Sequence, residues 1–227
     1  MKHSRYKYFS NTDYARRFME GSAYHQTLAW FRDYEDAAAK QVIGDEFEST
    51  RIYRPADGLQ VNNLTQGASF PLQMGFESSA RAGEIYVFCM SLGLTDELIR
   101  EFKATAIVEI LKPASFINRW LAALPDGAKH FAKRVDYYRP EDVPGTVWPQ
   151  PHLIATTKLT PFAYQQEYRL GFSTTGALEF GQATQQLVDR RVRPVPKPDE
   201  HHNLTLSLGD LGDICRLHEL PGSPAAI

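Results

Sequence analysis

The segment from Glu84 to Met90, with the sequence EIYVFCM, constrains the fold of this chain most strongly. A nearly continuous apolar run of this length is typical of a strand that is buried on both faces. The run Thr105–Ile110, with the sequence TAIVEI, predicts a second core strand soon after it. The middle of the chain is therefore expected to supply the centre of a sheet.

Further elements are predicted on both sides of this centre. Strands are expected at residues 5–9, 23–31, 49–53, 131–138 and 201–208, with the last at a sheet edge and a hairpin insertion within residues 59–76. Helices are expected from the caps at residues 10–13 to Glu20, and at residues 34–42, 95–102, 113–124 and 184–190. Tyr14, Phe18 and Met19 are predicted to pack inward from the first helix.

Composition limits the class of protein. The 227 residues can bury a core without disulfides or metals, and 43% hydrophobic with 23% charged residues is typical of a soluble globular chain. The net charge of -2 gives no overall attraction to nucleic acid or anionic membranes. Two cysteines far apart in sequence, no leader-like N-terminus and no apolar segment near membrane-spanning length together predict a cytoplasmic protein.

Several common catalytic motifs are missing from the sequence. It contains no Gly-x-Ser-x-Gly elbow, no phosphate-binding Walker loop, no Gly-x-Gly-x-x-Gly after a strand and no His-Glu-x-x-His. The pair His201-His202 has no cysteine or second histidine pair nearby, so no metal site is predicted. These absences disfavour the usual hydrolase, kinase and Rossmann oxidoreductase classes.

The stretch Thr156–Phe172 carries the most pronounced chemical pattern. It is interpreted as a polar turn leading into a strand on which Gln165, Glu167 and Arg169 share one face. Phe162 and Tyr164 place aromatic rings in the turn beside the carboxylate, as a site for a flat substrate would. The alternative is a solvated outer face of a half-buried strand, where such charges contribute little.

The pattern Gln165-Gln166-Glu167-Tyr168-Arg169 resembles the catalytic strand of the ADP-ribosyltransferase superfamily. Tyr6–Ser10 and Phe31–Asp36 are similar to an early strand and an aromatic-Arg-Asp turn in a group of uncharacterised bacterial proteins regarded as members of that superfamily. The resemblance implies an α+β fold in which two small packed β-sheets, flanked by short helices, surround an NAD cleft. A single domain of this type is expected over residues 1–227. The basic, proline-rich composition near residues 190–200 predicts a linker, which is followed by a short C-terminal extension.

The resemblance also implies roles for individual residues. Glu167 would stabilise the oxocarbenium character of the nicotinamide ribose, and Gln165 would lie beside the acceptor. The residues implied to contact the NAD are Tyr6, Tyr8, Ser10, Thr27 and Arg32, and those implied to contact the acceptor are Phe162 and Tyr164. The chain lacks the Arg-Ser-Glu set and the His-Gly-Thr motif found in the superfamily, so Tyr8 and Ser10 would have to substitute. Ordinary strand packing of the two tyrosines and a locally ion-paired turn at Arg32 are the alternatives.

The expected function is mono-ADP-ribosyl transfer from NAD to a protein amide side chain or a nucleic acid, without a metal. A bacterial toxin or defence effector would use this activity in the cytoplasm, away from membranes, and would have an antitoxin or immunity protein as a partner. The alternatives are an NAD glycohydrolase using the same Glu167 and a non-catalytic binding module on the same fold.

Overall fold

The computed structural model describes residues 4–33, 45–189 and 200–221. It is a mixed α+β structure with mostly antiparallel sheets and short helices, so the predicted α+β class is confirmed. The strands are β1 (Arg5–Phe9), β2 (Ser22–Thr27), β3 (Thr50–Tyr53), β4 (Leu59–Asn63), β5 (Ala68–Leu72), β6 (Met74–Ser79), β7 (Tyr86–Ser91), β8 (Ala106–Ile110), β9 (Lys129–Arg134), β10 (Asp136–Tyr138), β11 (Thr157–Leu159), β12 (Glu167–Ser173), β13 (Thr184–Asp189), β14 (Asn203–Ser207) and β15 (Cys215–Glu219). The α-helices are α1 (Thr12–Met19), α2 (Leu28–Arg32), α3 (Asp96–Glu101), α4 (Pro113–Ala122) and α5 (Pro151–Ile154).

Strand β7 lies at the centre of an eight-stranded sheet, as its apolar sequence predicts. One edge of β7 pairs with β12 along its whole length. The other edge is shared, because β2 pairs with Tyr86 and Val87 while β1 pairs with Ser91. Strands β1 and β2 therefore diverge, and they leave a gap beside the middle of β7.

The remaining strands extend this sheet and form three smaller ones. Strands β8 and β15 follow β1, β14 lies outside β2 at the predicted edge, and β9 pairs with β12. The smaller sheets of the described residues are β13-β6-β3, the hairpin β4-β5 and the parallel pair β10-β11. Two small sheets were expected, whereas the central gap belongs to one large sheet.

One face of the large sheet is covered by α1 and α4. Phe18 of α1 and Phe116 and Trp120 of α4 are buried in a cluster with apolar residues of β7 and β12. His25 is fully buried in this layer, where its Nδ1 donates to the carbonyl of Ala23 and its Nε2 accepts from the Trp120 indole, both at 2.9 Å. Burial lowers the pKa of His25 to about 4. This histidine is a neutral structural residue.

One predicted element is wrong in extent and another is wrong in type. The strand predicted to reach residue 31 ends at Thr27, because helix α2 begins at Leu28 and buries Leu28 and Ala29 in a second apolar cluster. The helix predicted at residues 184–190 is strand β13, which pairs residue by residue with β6. Tertiary pairing overrides local helix propensity in that segment.

Other details also differ from the predictions. Tyr14 was expected to pack inward from α1, but it is 59% exposed, while Phe18 is buried as expected. Strand β15 was not predicted. The predicted helix at residues 34–42 and the predicted linker near residue 195 lie outside the described residues.

Candidate ligand cleft

A cleft of about 720 Å³ occupies the gap between β1 and β2. The edge of β7 forms its floor, and β1 and β2 form its walls. Further lining side chains come from α1, α2, β11, β12, β14 and the turn that precedes β12. Its size lies within the range of small-molecule sites. The cleft therefore arises from the divergence of two strands along one edge of β7.

The strand register decides which side chains face this cleft. Residues that stand directly opposite each other on paired strands project on the same face. Tyr6 is paired with Ser91 and Ser91 with Glu167, so the three form one row across β1, β7 and β12. Tyr8 and Arg169, two residues further along their strands, project on the same face.

Arg169 is the hub of a buried charge network. It donates from Nε to Glu167 Oε1 at 2.7 Å and from Nη2 to Glu167 Oε2 at 3.2 Å. Glu48, which has no exposed surface, accepts from Nη1 at 2.6 Å and from Nη2 at 2.8 Å. The second Nη1 hydrogen is donated to the carbonyl of Ala155 at 2.7 Å. All five guanidinium donors are thus used, and Arg169 has none left for a ligand.

Lys158 supplies the second cation beside Glu167. Its Nζ lies 3.0 Å from Glu167 Oε2, 3.0 Å from Gln165 Oε1 and 3.8 Å from Glu48 Oε2. Burial alone would raise the pKa of Glu167, but the charges of Arg169 and Lys158 outweigh it and hold the pKa well below its usual range. Glu167 is therefore an ionised carboxylate at the cleft although it is only 7% exposed.

Gln165 reaches this network from a different element than predicted. It ends a 3-10 helix (Thr160–Gln165), and Gln166 adopts a left-handed conformation with φ of 44°, so β12 begins at Glu167. The prediction of one continuous strand through Gln165 is wrong. The kink is held by hydrogen bonds from Ser91 Oγ to the Gln165 carbonyl at 2.7 Å and from the Leu92 amide to the Gln166 carbonyl at 2.9 Å.

Three of the residues implied to contact NAD line the cleft, namely Tyr6, Tyr8 and Ser10. The Tyr8 hydroxyl donates to the carbonyl of Gly93 at 2.9 Å and accepts from the Thr95 amide at 3.4 Å, so its ring is fixed in the wall. Burial raises the pKa of Tyr8 to about 12. This side chain can offer its ring face to a ligand, while its hydroxyl is already engaged.

The other predicted contact residues lie away from the cleft lining. Thr27 is fully buried and paired with Tyr86, on the face opposite to Gln26. Arg32 donates to both carboxylate oxygens of Asp33, at 2.7 and 3.0 Å. The remaining two, Phe162 and Tyr164, are half-buried in the 3-10 helix, where the Phe162 ring centroid is 5.3 Å from the Nζ of Lys158.

Sequence reasoning missed two of the basic residues that line the cleft, Lys7 and Arg17. Lys7 extends into the gap, where its Nζ donates to the carbonyl of Cys89 at 2.9 Å and lies 4.6 Å from the centroid of the Phe88 ring. Arg17 of α1 lines the cleft and is exposed. Strand alternation places Lys7 away from Tyr6 and Tyr8, and only the divergence of β1 from β2 brings it to the site.

Basic side chains outnumber carboxylates in the lining of the cleft. Its lining contains four cationic side chains, Lys7, Arg17, Lys158 and Arg169, and one carboxylate, Glu167. Glu48 lies behind the lining and offsets one of these charges. No described residue supplies an ion-pair partner for Lys7 or Arg17. The lining therefore favours an anionic ligand although the whole chain carries a net charge of -2.

Cys89 is the one thiol in the lining. Burial, reinforced by the charge of Glu167, raises the pKa of Cys89 to about 12. The thiol is therefore protonated at neutral pH and is a poor nucleophile.

Within residues 4–33, 45–189 and 200–221, no group of three or more His, Cys, Asp or Glu side chains is arranged to hold a metal ion. No helix in the described part of the chain is both long and apolar enough to span a membrane. Comparisons with protein-family models, with curated proteins and with solved structures gave no match.

Proposed function

We propose that the cleft binds NAD and that the protein is a mono-ADP-ribosyltransferase in which Glu167 stabilises the transition state. The observation that carries this proposal is the position of Glu167, an ionised carboxylate on the cleft face of the sheet, in one row with Ser91 and Tyr6. As nicotinamide leaves, positive charge develops on the ribose. A fixed carboxylate stabilises that charge electrostatically, as in glycosidases.

The lining of the cleft fits a dinucleotide. Tyr6, Tyr8, Tyr24, Trp30 and Phe31 provide aromatic surface for flat rings. The cations of the cleft provide a favourable environment for a pyrophosphate, and Lys7 and Arg17 are the two without a carboxylate partner among the described residues. A ligand with flat rings and negatively charged phosphates, such as NAD, can contact both the aromatic side chains and the cations of the lining.

The chemistry of the cleft favours charge stabilisation over attack by a protein nucleophile. The Cys89 thiol is protonated, and His25 lies buried on the other side of the sheet with both ring nitrogens engaged. Cleavage of the bond between nicotinamide and ribose requires no protein nucleophile, because the acceptor attacks the ribose directly.

The acceptor can be a macromolecule or water, and the two cases give different products. Purified protein is incubated with NAD labelled in its adenylate portion and a mixed cell lysate, and samples are then treated with protease or nuclease. Label entering a macromolecule supports the transferase, and the enzyme that releases the label identifies the acceptor class. Free labelled ADP-ribose alone indicates an NAD glycohydrolase.

Matched variants make this experiment specific for the site. Glu167→Gln removes the charge and keeps the shape, whereas Glu109→Gln removes a carboxylate on β8 that bonds to Ser4 and His218 outside the cleft. The proposal expects label transfer to be lost in the first variant and retained in the second. A wild-type protein that neither binds nor cleaves NAD would refute the proposal and leave the non-catalytic binding module.

A further inference from the structure

We infer that Glu48 is a positioning residue, which fixes the orientation and the charge environment of Glu167 by acting through Arg169. This inference rests on the proposed function for its catalytic meaning. Glu48 is separated from Glu167 by more than one hundred residues of sequence and does not line the cleft.

The local chain around Glu48 is built to hold its side chain in place. The Asp45 carboxylate accepts from the Phe47 amide at 3.0 Å, and the Asp45 carbonyl accepts from the Glu48 amide at 2.8 Å. Ser49 has a positive φ of 64°, and its carbonyl accepts from the Ala80 amide at 3.0 Å. This tight turn leads directly into β3, and its hydrogen bonds hold the backbone of Glu48 in place.

The contacts of Arg169 transmit that rigidity to Glu167. The same Nη2 atom donates to Glu48 Oε2 at 2.8 Å and to Glu167 Oε2 at 3.2 Å. A guanidinium is planar, so fixing its outer edge on Glu48 fixes the plane of the Nε and Nη2 hydrogens that hold Glu167. Without Glu48, Arg169 would have only Glu167 and the Ala155 carbonyl as partners and could rotate.

Glu48 also balances charge. Two carboxylates, Glu48 and Glu167, face two buried cations, Arg169 and Lys158. Without Glu48, Glu167 is the one carboxylate among the described residues that forms direct ion pairs with both cations, and Asp45 acts on them only at longer range. The two cations then weaken the negative potential that Glu167 presents to the cleft. The loss should therefore affect the transition state more than the binding of the ground-state ligand.

The first test compares two buried carboxylates that both pair with arginine. Glu48→Gln changes the site, and Glu77→Gln changes a matched pair in the three-stranded sheet, where Glu77 is 3% exposed and lies 3.1 Å from Arg54. We expect Glu48→Gln to lower kcat by about tenfold or more while KM for NAD changes by less than about threefold. We expect Glu77→Gln to lower thermal stability without this fall in kcat. An equal fall in kcat in both variants would show that Glu48 contributes only to the stability of the fold.

The second test does not depend on turnover of NAD. The Cys89 thiol lies against the Glu167 carboxylate, so the pH dependence of its alkylation reports the charge of the network. Peptide mapping by mass spectrometry follows Cys89, and buried Cys215 serves as an internal reporter of unfolding. Glu48→Gln should shift the alkylation profile of Cys89 toward lower pH, and Lys158→Met should shift it toward higher pH, with Cys215 unchanged.

These outcomes separate the inference from the proposed function. If the wild-type protein does not consume NAD, the proposed function fails, and the Cys89 profile alone decides the role of Glu48. A Cys89 profile that is the same in Glu48→Gln as in the wild type, or that shifts equally in Glu77→Gln, would overturn the inference.

Discussion

At the level of single residues, Glu167 is a lone carboxylate in its local sequence, but in the structure it belongs to a network of buried charges. Glu167 is held by Arg169 and Lys158, and Arg169 is held in turn by Glu48. Buried ion pairs of this kind contribute little net stability, because desolvation of the charges offsets their attraction. Under the proposed function, their arrangement serves to fix the orientation of the Glu167 carboxylate.

Asp45 gives a prediction for the pH dependence of stability. It is 2% exposed, and its Oδ2 has no hydrogen-bond partner among the described residues. Burial, reinforced by the charge of Glu48, raises its pKa from 3.8 to about 6. The folded state therefore favours the protonated carboxyl, and this stabilisation is present below about pH 4 and is lost as the pH rises through about 6.

Asp45→Asn should remove that dependence, because an amide keeps the acceptor for the Phe47 amide without a charge. We expect the variant to be more stable than the wild type at about pH 7.5, by up to roughly 3 kcal/mol, with the advantage vanishing near about pH 4. Urea unfolding at both pH values measures the difference. A variant that is less stable than the wild type at about pH 7.5 would show that the Asp45 charge is stabilising.

Some site residues could be found from the sequence and others could not. The resemblance to the ADP-ribosyltransferase superfamily pointed to Tyr6, Tyr8 and Glu167, and strand alternation correctly placed the two tyrosines on one face, which Glu167 shares. Glu48 could not be selected, because no local pattern pairs it with Arg169 across the fold. Lys7 was missed because its approach to the cleft depends on the gap between β1 and β2.

At the scale of elements, apolar pattern and caps predicted β7, β8, α3 and α4 well. Thr95 caps α3 by accepting from the Leu98 amide at 3.2 Å, as its position before an acidic first turn suggests. Strand β13 was mistaken for a helix because its sequence, TQQLVD, does not alternate between apolar and polar residues as a half-buried strand would. Most of the strand is exposed, so the fold does not require such alternation. Its identity depends on pairing with β6, which local sequence does not encode.

Strand β12 also gives a prediction on packing. Gly171 stands opposite Phe131 of β9, and a Cβ at this position would overlap the Phe131 ring. We expect Gly171→Ala to lower the free energy of unfolding by about 2 kcal/mol, because the buried ring must move. In a Phe131→Ala background the same substitution should cost much less, which denaturant unfolding of the four proteins measures. Equal costs in both backgrounds would contradict the predicted contact.

At the level of the whole molecule, the charges around the cleft bear on ligand binding more than the net charge of the chain does. A chain with a net charge of -2 concentrates cations at the cleft, where Lys7 projects into the gap in the sheet. Burial lowers the pKa of Lys7, and the negative charge of Glu167 partly offsets that effect. An anionic ligand would further stabilise the charged form of this lysine.

Lys7→Met should therefore weaken the binding of ADP-ribose about tenfold, corresponding to about 1.4 kcal/mol. The affinity of adenosine, which lacks phosphates, should change little, and added salt should weaken only the binding of ADP-ribose. Calorimetry with both ligands measures these affinities, and Lys129→Met, an exposed lysine on β9, controls for total charge. An equal loss of affinity for the two ligands would place Lys7 away from the phosphates.

The release of nicotinamide from NAD, followed by proton NMR, measures whether Glu167 acts in the cleavage step. The wild-type protein should release nicotinamide, and Glu167→Gln should do so about 100-fold more slowly or worse while binding ADP-ribose within about threefold of the wild type. That result would assign to Glu167 a role in the transition state. Release at the wild-type rate in Glu167→Gln, or no release by the wild type, would contradict the account.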